Sequence, residues 1–350
     1  MHSGRKETAQ LLKHIIATLI AAATRSGPTK NTKLCVLFWF SAKIALSLQK
    51  IGCTRQFVSK LPLPSFALSL QKDNFAKEMT QNKIFRTVLP LALAATLTAC
   101  DSVFDIHPYD TRVTGATGIN AANIRRIEQT HADADTLRIA VISDSHQWYN
   151  DLEDEIKDIN RRTGIDFVIH LGDITDFGST QEYKWARERL QRLTVPYVVM
   201  QGNHDCLGTG NEVFAKMFGN NDFTFIAGRV KFVMINTNAI EYDYSEPVPD
   251  FDFLESEAKR DSARFDRTIA CMHAAPFSEQ FNNNVLKPFN YYMTAFPNLM
   301  FCLYGHGHHT EEHDFFENGV IYYEVAAASK REYRIITITP EGYENEVVHF

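Results

Sequence analysis

Residues 166–173 read DFVIHLGD. An unbroken apolar run of strand length closes in a glycine and a carboxylate. It lacks period-two alternation, so it reads as a strand buried on both faces. The same form stands upstream in LRIAVISD (137–144) and downstream in PYVVMQGNHD (196–205). Polar helical stretches, 149–163 and 179–193, separate the three. Buried strands alternating with helices predict an α/β sheet. Polar residues close each strand at its C-terminal end, where open α/β sheets bind ligands.

Further along the chain the pattern changes. DFTFIAGRVKFVMINTN (222–238) reads as a hairpin with Gly228 at its turn, and a helix fits 250–264. RTIACMHAAP (267–276) and NLMFCLYGHGH (298–308) are strands that again end in histidine. The tail, 318–350, reads as successive antiparallel strands with Gly and Pro turns. These later pieces predict a second sheet packed on the first. Upstream, 100–135 reads as a linker and lead-in, with INAANIRRIEQT (119–130) as one amphipathic helix.

The chain has 350 residues, and its apolar fraction of 45% supports a sizeable core. Charge is split: residues 1–78 carry a net of +9, and residues 101–350 a net of −17. A field this acidic disfavours nucleic acid and anionic membrane surfaces. Any anionic substrate then needs strong local positive charge, and a metal pair is one source.

Met79 opens MTQNKIFRTVLPLALAATLTAC: Lys83 and Arg86, then uncharged, mostly apolar residues from Thr87 to Ala99, then a cysteine. This is the layout of a secretory signal, too short to span a bilayer. Leu97-Thr98-Ala99-Cys100 resembles the lipobox of bacterial lipoproteins, which implies lipid attachment at Cys100. It also implies a bacterial cell envelope protein held at the membrane, periplasmic or surface facing. The alternative is a plain signal peptide with an incidental cysteine. Residues 1–78 then read as upstream sequence before the true start, or as a disordered or targeting extension. Of six cysteines, Cys206, Cys271 and Cys302 fall in the later region with no regular spacing, so neither a disulfide framework nor a zinc finger is predicted.

Five strand ends carry the chemistry: Asp144-Ser145-His146, Gly172-Asp173-Ile174-Thr175-Asp176, Gly202-Asn203-His204-Asp205, His273, and Gly305-His306-Gly307-His308. Carboxylate or amide oxygen together with imidazole nitrogen suits divalent zinc, manganese or iron. Two ions about 3.5–4 Å apart need one shared ligand, usually a carboxylate. If strand geometry continues through DSH, period-two alternation puts Asp144 and His146 on one side, able to hold one ion. His306 and His308 share that spacing.

The ordered set D-x-H, GDxxDxG, GNHD, H, GHxH resembles the calcineurin-like metallophosphoesterase superfamily over about residues 136–310. The resemblance implies a four-layer α/β/β/α sandwich of two mixed sheets, and hydrolysis of a phosphoester at two divalent ions. It implies Asp144, His146 and His308 on the first ion, Asn203, His273 and His306 on the second, and Asp173 bridging them. It implies His204 beside the leaving oxygen, Asp176 orienting His204, and Asp205 bracing the ligands from behind. Asp176 has a rival reading as the cap of the helix near Ser179. His170 reads as structural, and His309 and His313 as solvated or standing behind ligands. Trp148 and Tyr149 either line the substrate pocket or pack.

Departures from the superfamily's patterns bear on substrate. Phe177 stands where protein serine/threonine phosphatases carry a phosphate-gripping Arg, and Asp205 replaces their Glu. Neither Thr175 nor Asp176 supplies the Tyr ligand of purple acid phosphatases. With no large cap insertion, the chain is most similar to the smaller phosphodiesterases, which favours a small-molecule diester or pyrophosphate. Phosphomonoesterase, nuclease and non-catalytic metal-binding lipoprotein are the alternatives, and the missing basic stripe counts against the nuclease.

Overall fold

Alternate residues of the strands face opposite sides, and here both sides are apolar. In the computed structural model, which describes residues 107, 109–242 and 245–350, this pattern builds two sheets and the three large hydrophobic clusters around them. The expectations for residues 1–78, the signal at 79–99 and Cys100 lie outside the described residues.

The first sheet orders its strands β11-β10-β1-β2-β3. They are β1 (Leu137–Ile142), β2 (Phe167–His170), β3 (Tyr197–Val199), β10 (Glu332–Thr339) and β11 (Gly342–His349). β1, β2 and β3 run parallel, and β10 joins β1 antiparallel. The second sheet is β4-β5-β6-β7-β9-β8. It contains β4 (Phe223–Ala227), β5 (Val230–Ile235), β6 (Arg267–Met272), β7 (Leu299–Tyr304), β8 (Glu312–His313) and β9 (Ile321–Glu324). β4 and β5 form the hairpin expected around Gly228, while β5, β6, β7 and β9 run parallel.

Leu137, Ile139 and Val141 of β1 face Phe232, Ile269 and Leu303 across the gap between the sheets. Their neighbours Ala140 and Ile142 turn outward. There they meet Leu152 and Ile156 of α2 (Tyr149–Arg161), Tyr183 of α3 (Thr180–Leu190) and Phe214 of α4 (Gly210–Met217). On the other side, Val233, Ala270 and Met272 pack under Leu254 of α5 (Phe251–Lys259) and Phe289 of α6 (Leu286–Thr294). The order helix, sheet, sheet, helix is the predicted four-layer sandwich. Cys271 lies in the inner cluster and Cys302 in the outer one, so the two thiols on neighbouring strands face opposite ways.

The tail departs from the expectation. β9 is parallel to β7, and the β10–β11 hairpin extends the first sheet rather than the second. β10 is buried on both faces, with Tyr333 and Ile335 in one cluster and Ile336 and Ile338 in the other, but pairing depends on which edge is open, and β1 offers one. The opposite edge is covered. Helix α1 (Ile119–Thr130) lies against β3, where Asn120 Nδ2 donates to the Val199 carbonyl (2.8 Å) and Oδ1 accepts the Val199 N–H (2.9 Å). Asn123 Nδ2 donates to the Tyr197 carbonyl (2.8 Å). Two asparagine amides thus take the bonds that another strand would make, which closes an aggregation-prone edge.

Glu155 of α2 is the chief anomaly of the core. It is 1% exposed, and both carboxylate oxygens lack a hydrogen-bond partner. Burial pushes its pKa well above 4.5, Asp151 adds to the rise and Arg331 opposes it. A carboxyl whose pKa rises on folding contributes its full stability below the unfolded pKa and loses it as pH climbs toward the folded one. Glu155→Met is therefore expected to stabilise the fold by about 1–3 kcal/mol at pH 8, with the gain shrinking toward pH 4.5. Urea unfolding of both proteins across that range measures the difference. A gain that does not vary with pH would show that the carboxyl is not the cause.

Candidate metal centre

The parallel strands β1, β2, β3, β6 and β7 bring their C-terminal ends to one edge of the sandwich. Asp144 and His146 follow β1, Asp173 follows β2, Asn203 and His204 follow β3, His273 follows β6, and His306 and His308 follow β7. The backbone stitches these loops together. The Asp144 N–H donates to the Gly172 carbonyl, His146 N–H to that of Asp173 and Gly305 N–H to that of His273.

All seven expected ligands meet here. Asp144, His146 and His308 place one donor atom each within 4.8 Å of the others, and so do Asp173, His273 and His306. Asn203 Oδ1 lies 3.1 Å from His273 Nε2 and 3.0 Å from His306 Nδ1. Asp173 joins the two groups, with Oδ2 3.6 Å from His146 Nε2 and 3.3 Å from His273 Nε2.

The donor set fits divalent ions for a specific reason. Each central carboxylate has one oxygen held and one bare. Asp144 Oδ2 accepts from the Ser143 hydroxyl and the His306 N–H, and Asp173 Oδ1 accepts the His204 N–H (2.9 Å). Asp144 Oδ1 and Asp173 Oδ2 are buried with no hydrogen-bond donor. Facing them are imidazole nitrogens whose protons are committed elsewhere. His273 Nδ1 donates to the Leu171 carbonyl (2.9 Å) and His306 Nε2 to Glu279 (2.9 Å). The lone pairs of His273 Nε2 and His306 Nδ1 therefore point at oxygens. Ligands about 2.1 Å from one ion lie roughly 3.4 Å from each other. The contacts between Asp144 Oδ1, His146 Nε2 and His308 Nε2 run from 3.2 to 3.9 Å. Protonation is the only other relief: burial works against it at His273, yet the Asp173 and Asp144 carboxylates raise that imidazole to about 9.

The route to this arrangement is not the expected one. β1 stops at Ile142, and five of the seven groups sit at positive φ: Asp144 (48°), His146 (41°), Asp173 (54°), His306 (70°) and His308 (63°). Left-handed turns, rather than continued strand alternation, bring Asp144 and His146 to one side. Each such non-glycine residue costs on the order of 1–3 kcal/mol and persists at functional sites. Two glycines permit the close approach. A Cβ on Gly202 would run into Asp173 Oδ1, and one on Gly305 into the Ser143 hydroxyl and Asp144 Oδ2.

Asp176 differs from expectation in both of its readings. Helix α3 is capped by Ser179 and Glu182, whose side chains bond each other's backbone N–H, so Asp176 is not its cap. Asp176 meets His204 through its backbone carbonyl, which accepts from Nδ1 (2.9 Å), and not through its carboxylate. Its Oδ1 stands 2.8 Å from His146 Nδ1, off the axis of the ring N–H. Asp205 is fully buried, and its carboxylate accepts from the Ile174, Thr175 and Gly202 N–H groups and the Thr175 hydroxyl. It thereby ties the β2 loop to the β3 loop behind the ligands.

His170 is buried, bonded to Ser145 Oγ and the Gly172 N–H, and burial lowers its pKa to about 3. His313 stacks on Phe315 and pairs with Glu311, and the His309 N–H donates to Glu324. Trp148 edges the centre, 5.2 Å from the His146 ring and 5.6 Å from that of His308. Tyr149 packs instead against Trp185 and beneath Arg189. Glu279 is the residue that sequence reasoning missed. It belongs to no motif, and only the folded chain shows it gripping His306 from behind.

Residues 137–310 match the family model of the calcineurin-like phosphoesterases. A probable glycerophosphodiester phosphodiesterase from Arcobacter nitrofigilis is 52% identical over 46 residues, 13% of this chain. The chain spans only 17% of that relative's length in the match. Among solved structures, the GAP50 anchor of the Plasmodium inner membrane complex aligns at 11% identity and a TM-score of 0.47, over 62% of this chain and 85% of that one. A purple acid phosphatase from yellow lupin (Lupinus luteus) seeds aligns at 14% and 0.45, over 62% of this chain and 52% of its own. With oxygen and imidazole donors converging inside the matched segment, residues 137–310 place the chain in the calcineurin-like phosphoesterase family.

Proposed function

We propose that the chain is a dinuclear metal-dependent hydrolase of small-molecule phosphodiesters. The observation that carries the reading is Asp173 Oδ2, a buried oxygen with no donor that faces histidines of both groups. In this reading Asp144, His146 and His308 hold one ion, and Asn203, His273 and His306 the other. Asp173 would be shared between them. Two ions bound there would neutralise a phosphoryl group and lower the pKa of a water.

The chain's own groups supply the rest. The Asp176 carbonyl fixes the neutral His204 ring with its proton on Nδ1 and presents Nε2, which in the protonated ring donates to a departing alkoxide. Trp148 stands edge-on to the rings of His146 and His308. Support for a diester comes from the similarity to a protein named as a phosphodiesterase. It comes also from the absence, in the second motif, of an Arg to hold a monoester dianion.

Reconstitution of the full chain with manganese, elemental analysis and a three-substrate panel test this reading. Two ions per chain are expected, with kcat/KM for bis(4-nitrophenyl) phosphate at least about tenfold above that for 4-nitrophenyl phosphate or pyrophosphate. One ion per chain, or a preferred monoester, would count against it.

A further inference from the structure

A groove of about 240 Å3 opens beside His306. Its walls are Phe277, Phe315 and Tyr304, with Glu279 at the mouth and Glu324 at the floor. None of the residues lining it is Lys or Arg. Glu324 is 4% exposed; burial raises its pKa, against which its two oxygens accept from the His309 N–H and the Tyr304 hydroxyl.

Phe277 is the unusual member. It is 55% exposed, and its backbone is left-handed at φ 73°. Core packing explains neither feature. The loop nevertheless holds it firmly: the Phe277 N–H donates to Asn283 Oδ1 (2.9 Å), and Asn283 Nδ2 donates to the Ser278 carbonyl (2.8 Å). The ring stands tilted against Phe315 at 5.6 Å. An aromatic wall kept open to solvent above a carboxylate floor attracts a cation through the ring quadrupoles and through charge. It repels a second phosphate.

Resting on the diesterase reading, we propose that this groove receives one ester arm of the substrate and selects arms that end in an ammonium or quaternary ammonium group. The phosphoryl group sits at His306, and the cationic end lies along the exposed face of Phe277 toward Glu324. Hydrolysis is unchanged in kind: water adds to phosphorus, the bond to the leaving oxygen breaks, and that oxygen takes the proton.

Two diesters that differ only in that charge decide it: 4-nitrophenyl phosphorylcholine and its carbon isostere, 4-nitrophenyl 3,3-dimethylbutyl phosphate. With the manganese-loaded full chain, the choline ester is expected to show a kcat/KM about tenfold higher. Phe277→Leu, which keeps an apolar side chain but removes the π-face, should bring that preference to within about twofold. Equal rates in the wild type, or an undiminished preference in Phe277→Leu, would overturn the proposal and leave the diesterase reading standing. If neither diester turns over, it is the diesterase reading that fails. Calorimetric binding of phosphocholine against 3,3-dimethylbutyl phosphate then settles the groove: tighter phosphocholine supports it, and equal Kd values sink it.

Discussion

Asp173→Asn should lower kcat/KM on a phosphodiester by about 10³-fold or more and take bound manganese from two ions per chain to one or fewer. The reason lies in how the two carboxylate oxygens are used. Oδ1 accepts the His204 N–H, and Oδ2 faces His146 and His273 with no donor. An asparagine cannot serve both positions. With its amide oxygen toward the histidines, its NH2 confronts the His204 N–H, donor against donor. Turned the other way, it offers NH2 to an ion. The side-chain volume barely changes, and the negative charge that crowds Asp144 is removed. The metal-free variant should therefore melt no lower than the metal-free wild type. Elemental analysis, turnover and a melting curve on one preparation check all three. A variant that holds two ions and turns over at the wild-type rate would remove Asp173 from its place between them.

How far the sequence reveals this site depends on which physical rule sets each residue. The strands are legible because DFVIHLGD and its fellows are apolar on both faces, which only a sheet between layers satisfies. The candidate ligands are legible because they close those strands in series. Their approach is not, since Asp144 and His146 depend on left-handed backbone that no pattern of side chains announces. Asp176 misleads for a related reason. Sequence displays its carboxylate, whereas the fold uses its carbonyl on His204 and turns the acid toward His146. The β10–β11 hairpin is visible as strands, but its place beside β1 is a matter of which edge stands open. Glu279 and Phe277 sit in a loop without periodicity, and only the folded chain brings them to His306.

His204→Ala should separate binding from chemistry at this centre. The residue contributes a backbone N–H to Asp173 and an imidazole fixed by the Asp176 carbonyl. Alanine keeps the first and deletes the second, so two ions should remain bound. If Nε2 protonates the departing oxygen, kcat falls by about 10²–10⁴-fold for an alkyl diester, whose alkoxide needs the proton. The loss should be much smaller for a 4-nitrophenyl ester, whose phenolate departs without help, because acid catalysis matters in proportion to the basicity of the leaving group. Equal losses on both substrates would turn the assignment from proton donor to a ring that stabilises phosphoryl charge. A parallel fall in metal content would place the imidazole among the ligands, and the count of seven would have to become eight. Measuring kcat on both esters alongside elemental analysis distinguishes the three cases, because a proton donor, a charge stabiliser and a ligand each move a different pair of these observables.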